Sequence, residues 1–150
     1  MTALDILIKL IKESEGCKLT AYYCPAGVIT IGYGHTGHDV CKGLTWTQAN
    51  ADEILAIDAQ KAIDQALKLS PILAHEPNKL GSIADFIFNL GAGNYQSSTL
   101  KKSVDTGNWP DAQKQIKRWN KARVNGELTV LAGLTRRREA EAKLLSQNDH

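Results

Sequence analysis

Glu15-Gly16-Cys17-Lys18-Leu19-Thr20-Ala21-Tyr22-Tyr23-Cys24-Pro25-Ala26-Gly27-Val28-Ile29-Thr30-Ile31-Gly32-Tyr33-Gly34-His35 is the stretch on which the fold turns. β-Branched and aromatic residues stand on either side of Cys24-Pro25-Ala26-Gly27. Pro at the second turn position and Gly two residues later suit a type I turn closed by a left-handed residue, the three-residue hairpin loop. A small antiparallel sheet follows. In that register Cys24 faces Val28 and Tyr22 faces Thr30, and alternation puts all four on one face of the sheet. Cys24 and Thr30 become diagonal neighbours about 7–8 Å apart, a gap that can hold a water between them.

Upstream, Leu4, Leu7, Ile8 and Ile11 recur at helical spacing, which predicts a helix over 3–14. Glu15 falls four residues after Ile11 and so continues the apolar stripe, an odd place for a carboxylate. It precedes the first strand by only three residues and can project over the face that carries Cys24 and Thr30. A carboxyl, a thiol and a hydroxyl would then converge with room for a sugar and a water, a set suited to acid–base hydrolysis. The C-terminal end of a helix and apolar neighbours both disfavour negative charge, as a proton-carrying general acid requires. Taken singly, each residue has a plainer reading. Glu15 would be an exposed carboxylate on a fraying helix end, Cys24 a small buried hydrophobe and Thr30 an ordinary strand residue.

Downstream, Thr45-Trp46-Thr47-Gln48 has the capping-box pattern and opens a helix over about 46–69, long enough to bridge two lobes and ended by Pro71. A buried helix follows over about 78–90 and stops at Gly91-Ala92-Gly93. Further helices are expected near 98–105, 109–122 and 135–147, with a short hairpin at Asn125-Gly126. The outline is α+β, mostly helical. One domain, 1–150, would place a sheet lobe at about 15–45 against a helical lobe at about 70–150 plus the N-terminal helix.

At 150 residues and 43% hydrophobic, the chain can bury a core without disulfides or metal, and it is not a disordered tail or a fibre. No stretch approaches the roughly 18 apolar residues of a membrane span. Leu4 to Ile11 is interrupted by Asp5 and Lys9 and lacks the flanks of a signal peptide. The chain therefore reads as soluble and made in the cytosol. Three cysteines, Cys17, Cys24 and Cys41, at irregular spacing argue against a disulfide framework. His35, His38 and Cys41, with Cys24 as a fourth, match no zinc-site spacing. The second half of the chain, with Arg136-Arg137-Arg138, is the basic one and suits an anionic partner. Without interleaved aromatics or a recognised motif, nucleic acid is not that partner.

Three blocks of sequence resemble phage-type lysozymes of glycoside hydrolase family 24. They are Glu15 to Gly37, Phe88-Asn89-Leu90-Gly91-Ala92-Gly93 with Ser98-Thr99-Leu100, and Gly133-Leu134-Thr135-Arg136-Arg137-Arg138-Glu139-Ala140-Glu141. The family pattern of a Glu, eight residues, an Asp or Cys, five residues and a Thr maps onto Glu15, Cys24 and Thr30. The resemblance implies a lysozyme-like fold and a muramidase cutting the β-1,4 bond between N-acetylmuramic acid and N-acetylglucosamine in peptidoglycan. Glu15 would be the acid, with Cys24 and Thr30 placing a water for inversion. The diagonal gap agrees, since an inverting site needs about 6.5–9.5 Å between its two catalytic groups. Tyr22, Gly34, Phe88 and Asn89 would line the substrate cleft. His35, also near substrate, would pair with Asp58, and Arg136 or Arg137 would orient Glu15.

No metal or organic cofactor is implied. The expected setting is a monomeric endolysin stored in the host cytoplasm and released onto the wall by a holin-type permeabilising partner. Many family members have Asp at the position of Cys24. A thiol is the poorer base and the better nucleophile, so water orientation and direct attack on the sugar both stay open. Two further readings remain: a thiol peptidase using Cys24 with His35, and a peptidoglycan-binding module without activity.

Overall fold

The computed structural model describes residues 1–148. Helix α1 (Ala3–Ser14) opens with a reciprocal cap. The Thr2 hydroxyl accepts from the Asp5 N–H, and the Asp5 carboxylate accepts from the Thr2 N–H. Ile6, Leu7, Leu10 and Ile11 form its buried face. At Glu15 the backbone leaves helical geometry, and the chain enters strand β1 (Lys18–Tyr23), antiparallel to β2 (Ile29–Gly32).

Tyr22 pairs with Thr30 and Tyr23 with Ile29, which is the expected register. The turn closes as expected too. The Cys24 N–H donates to the Val28 carbonyl at 3.0 Å, the Gly27 N–H donates to the Cys24 carbonyl at 2.8 Å, and Gly27 is left-handed at φ 80°. Ile31 anchors the sheet and is fully buried. Gly32 has φ 67°, and a Cβ there would stand 2.8 Å from the Trp46 ring, so only glycine fits.

Helix α2 (Gln48–Leu69) packs on β2 at one end and on the helices at the other. Its cap is Thr47 with Asn50, two residues later than the Thr45–Gln48 pattern suggested. Trp46 instead supports the sheet. A 3₁₀ turn (Pro71–Leu73) leads to α3 (Pro77–Leu90), buried from Lys79 to Ile87 and surrounded by α1, α2 and α7. Gly91 ends it at φ 95°.

Next come α4 (Ala92–Gln96), which the sequence reading missed, α5 (Thr99–Asp105) capped by Ser98, and α6 (Trp109–Lys117). Helix α6 stops five residues short of expectation. Its next residues begin the hairpin β3 (Lys121–Val124) and β4 (Glu127–Val130), turning at left-handed Asn125 and Gly126. Helix α7 (Ala132–Ser146) starts three residues early because Leu131 caps it without a side-chain bond, leaving no residue-type signal. Residues 149 and 150 of the expected helical lobe lie outside the described residues.

Together these elements make a mostly helical fold with two small antiparallel sheets among the described residues. The apolar core draws Leu7 and Ile11 from α1, Ala59 and Ile63 from α2, Ile83 and Phe86 from α3, and Leu145 from α7. Helix α1 approaches α3 at Gly81, where an added Cβ would lie 2.7 Å from the Ile6 methyl carbon Cγ2 and 3.1 Å from Ile6 Cβ. Gly81→Ala should therefore destabilise the fold by about 1–3 kcal/mol through overpacking, despite the better helix propensity of alanine. Urea unfolding with an unchanged m-value would register it; a stabilised variant would refute the close approach.

Candidate active site

Glu15 caps α1, its N–H donating to the Ile11 carbonyl at 2.7 Å. The backbone switches from helical to extended there, so the side chain leaves the apolar stripe that the helical count continues and stands where helix and sheet meet. Arg137, on α7, donates from Nη1 to Glu15 Oε1 at 2.8 Å. That settles which arginine approaches. Arg136 is exposed, its guanidinium near Gly133, and has no bond to Glu15 among the described residues. Arg137 is only 5% exposed and also grips Asp85 with two bonds, Nε to Oδ2 at 2.9 Å and Nη2 to Oδ1 at 2.8 Å.

Gly34 flanks Glu15 on the sheet side. It is left-handed at φ 81°, and a Cβ there would lie 3.5 Å from Glu15 Oε2. Tyr22 is the third neighbour. Partial burial and the nearby Glu15 and Cys24 charges push its phenol up from the usual range. Tyr22 thus stands within electrostatic reach of both groups.

Cys24 sits at the end of the hairpin strand with a free thiol. Its thiol is held below the ordinary range, chiefly by the Val28 backbone N–H and less by those of Ala26 and Gly27 and by the Thr30 hydroxyl, against the opposing effect of burial. Thr30 is buried, and its hydroxyl donates to the Val28 carbonyl at 2.9 Å.

His35 makes the expected pair with Asp58. Nδ1 lies 2.6 Å from Asp58 Oδ2 on α2, and Nε2 lies 3.0 Å from Asp39 Oδ2, so both ring nitrogens are occupied within the protein. The ring also leans on Trp46, centroids 5.5 Å apart. His35 ties the sheet loop to the long helix. Burial opposes its protonation, but the two carboxylates outweigh that and raise its pKa. Among the described residues no cluster of His, Cys, Asp or Glu is placed to hold a metal ion.

On α3, Phe88 is half-buried against the core. Asn89 gives its Oδ1 to Arg138 at 2.7 Å, so the amide N–H groups are what it can offer a ligand. The sequence reading passed over Asp85, Asp39, Arg138 and Glu141. Asp85 had a signal: one carboxylate inside Ile83-Ala84-Asp85-Phe86-Ile87, on a helix too apolar to leave it exposed. A separate cavity of about 520 Å³, lined by Thr99, Arg118, Trp119, Asn120, Lys121 and Leu128, shares no residue with this site.

A small sheet and a helical bundle bridged by one long helix, with a glutamate at the junction, define the lysozyme-like class. Comparison with known proteins agrees. The phage lysozyme family model matches residues 12–141. The endolysin of Acyrthosiphon pisum secondary endosymbiont phage 1 is 38% identical over 90% of this chain and 91% of its own length. The SAR-endolysin of bacteriophage PS119 is 34% identical over 85% and 73%. Among solved structures, the muramidase domain of SpmX from Asticaccaulis excentricus superposes with a TM-score of 0.83 at 30% identity, covering 95% of both chains. The endolysin from Escherichia coli O157:H7 phage FAHEc1 also gives 0.83, at 29% identity over 97% and 94%. The chain belongs to the phage lysozyme family, and it is a lysozyme hydrolase of the endolysin type.

The tie at His35 gives a pH signature. A raised pKa means its stabilisation is complete below the ordinary 6.5 and is lost as pH rises through the folded value. Asp39 is held below its ordinary 3.8, mainly by the bond from His35, so its share is lost only as pH falls through that lower value. The urea midpoint of His35→Gln should trail the wild type most between about pH 4 and 6.5 and converge above that range. A gap constant from pH 5 to 9 would show that the ion pairs contribute nothing.

Proposed function

We propose that this endolysin cuts the β-1,4 bond between N-acetylmuramic acid and N-acetylglucosamine in peptidoglycan by a single inverting displacement. The observation that supports it best is the pairing of a carboxyl braced by Arg137 and Gly34 with a thiol that its hairpin neighbours hold below the ordinary range, Tyr22 close to both. Glu15 gives its proton to the glycosidic oxygen as the bond to the anomeric carbon breaks. A water attacks the opposite face of the sugar and loses a proton to the Cys24 thiolate, with Thr30 fixing its direction. Arg137 then stabilises the carboxylate left on Glu15. Tyr22, Gly34, Phe88 and Asn89 form the walls against the sugar, Asn89 through its amide donors.

The depressed thiol favours a second version, in which Cys24 attacks the sugar directly and configuration is retained. Attack by water is the version we adopt, because Thr30 stands on the strand paired with that of Tyr22 and next to Cys24, where its hydroxyl can direct a water. NMR of the first-formed anomer separates the two. The enzyme acts as a monomer on the host wall and reaches it through a holin-type permeabilising partner. SAR-endolysins among the relatives mark the alternative of a different export route.

Mass spectrometry of fragments released from purified peptidoglycan tests the activity. Reducing N-acetylmuramic acid ends are expected. Cut peptides would mean a thiol peptidase, and binding without release a wall-binding module. Glu15→Gln should lower kcat by about 10²–10⁴-fold, as loss of a general acid does. Cys24→Ala should cost about 10²-fold, while Cys24→Asp should keep activity and extend it to lower pH, since a carboxylate stays charged down to about pH 4. Should Cys24→Ala match the wild type, the thiol has no part in the reaction.

A further inference from the structure

Two rungs tie α3 to α7 beside Glu15. The first is Arg137 on Asp85, whose guanidinium also reaches Glu15. The second is Arg138 on Asn89, with Nη2 donating to Oδ1 at 2.7 Å. Asn89 follows Asp85 by four residues on α3, so the two project from one face of that helix, a single turn apart. Asp85 is sealed inside the protein, whereas Asn89 keeps part of its surface open to solvent.

An amide side chain has two unlike ends. Its oxygen accepts, and its nitrogen donates twice. A guanidinium has donors and no acceptor, so only the oxygen of Asn89 can face Arg138, and the nitrogen with both its hydrogens is left for a ligand. Arg138 is not free to turn away. It is fully buried, its Cζ lies 5.3 Å from the centroid of the Phe86 ring, and the same Nη2 donates to Glu141 Oε2 at 3.0 Å. Nη2 carries two hydrogens, and these two bonds use both. Nε and Nη1 make no hydrogen bond, although Nε stands 2.7 Å from Glu141 Oε1 as an ion pair. Burying a cation is costly, and the cost is offset only where the bonds around it are complete. Here every directed bond runs through the one nitrogen that meets Asn89. To hold two helices together, apolar side chains in place of the pair would serve as well.

We propose that Arg138 is a positioning residue for the lysozyme reaction: it locks the Asn89 side-chain amide as a donor, so that the cleft takes the sugar through an oxygen that accepts. The inference rests on Asn89 being a wall of the sugar site. Such an oxygen is an acetamido carbonyl or the carboxylate of N-acetylmuramic acid. A hydroxyl both donates and accepts, and would need no fixed amide.

The test measures, by calorimetry, binding of purified glycan strands to the full chain carrying Glu15→Gln, which holds the sugar without cutting it. Asn89→Asp keeps an oxygen for Arg138 but turns an acceptor toward the sugar. It should hold its urea midpoint and weaken binding about tenfold to a hundredfold. Arg138→Met with Glu141→Leu replaces the buried pair by apolar side chains, an exchange that folded proteins often accept. It should weaken binding about threefold to tenfold, the cost of ordering a freed side chain. In that background Asn89→Ala should cost little more, since an unfixed amide has already lost its advantage. In the cutting enzyme the same changes should raise KM and leave kcat within about twofold. An equal cost of Asn89→Ala with and without Arg138 would mean that Arg138 only holds helices, and would overturn the proposal. So would an Asn89→Asp protein that binds as tightly as its parent. If the Arg138→Met pair fails to fold, Asn89→Asp decides. N-deacetylated strands tell the two oxygens apart, because the Asn89→Asp penalty vanishes there for a carbonyl and persists for a carboxylate, and either result supports the lock. Should the wild type release no muropeptides while the binding results hold, the enzymatic reading fails and the placing of Asn89 stands. Should it cut while the two losses simply add, only the role of Arg138 falls.

Discussion

Arg137 holds Asp85 with two bonds and Glu15 with a third, and the placement of most other groups in the site follows from that one side chain. Moving a guanidinium and a carboxylate out of water costs several kcal/mol per ion, and only close, well-aligned pairing offsets it. The offset requires α3 to present Asp85, α7 to present Arg137 and the end of α1 to present Glu15, all at once. Removing one partner leaves an uncompensated charge inside the core, which typically costs about 3–5 kcal/mol. The three helices are thus locked in relative position more sharply than apolar packing would lock them, since apolar contacts tolerate sliding and a bidentate pair does not. Glu15 and Arg137 are 122 residues apart in the chain, so the site cannot assemble until the last helix is in place.

The sheet inherits its position from that lock because Glu15 is followed almost at once by β1. A second tie completes the frame: His35 reaches Asp58 on α2 and leans on Trp46, whose ring lies over Gly32. One tie fixes the sheet where it leaves α1 and the other where it approaches α2. Between them lies the face with Tyr22, Cys24 and Thr30. Strand β1 buries none of its residues and β2 only Thr30, Ile31 and Gly32, so these two polar ties carry much of the sheet's orientation. Both His35 nitrogens serve that frame.

Short-range features were the legible ones. The Pro25-Ala26-Gly27 loop decides the pairing of Tyr22 with Thr30, because turn geometry and strand register are one constraint. The helix at 3–14, the stop at Gly91 and the turn at Asn125-Gly126 rest on similarly local chemistry. Caps were less legible. Thr45 and Thr47 both suit a helix start, and the choice of Thr47 depends on Trp46 being drawn onto Gly32 by tertiary packing. The early start of α7 has no residue-type mark at Leu131. Least legible was the choice among Arg136, Arg137 and Arg138. All three lie on one helix, and which faces Glu15 depends on how α7 is rotated against α3, fixed by the bonds from Arg137 to Asp85 and from Arg138 to Asn89.

The thiol at residue 24 makes physical sense in this setting. A carboxylate is charged at neutral pH without help, whereas a free thiol is mostly neutral there. The backbone amides that the tight turn brings round residue 24, that of Val28 first, favour the anion and lower the thiol against the opposing effect of burial. The turn is set by Pro25-Ala26-Gly27 and is the same constraint that fixes the strand register. The place where the hairpin favours a negative charge is therefore decided by the local fold, and it asks of the side chain only that it can carry one.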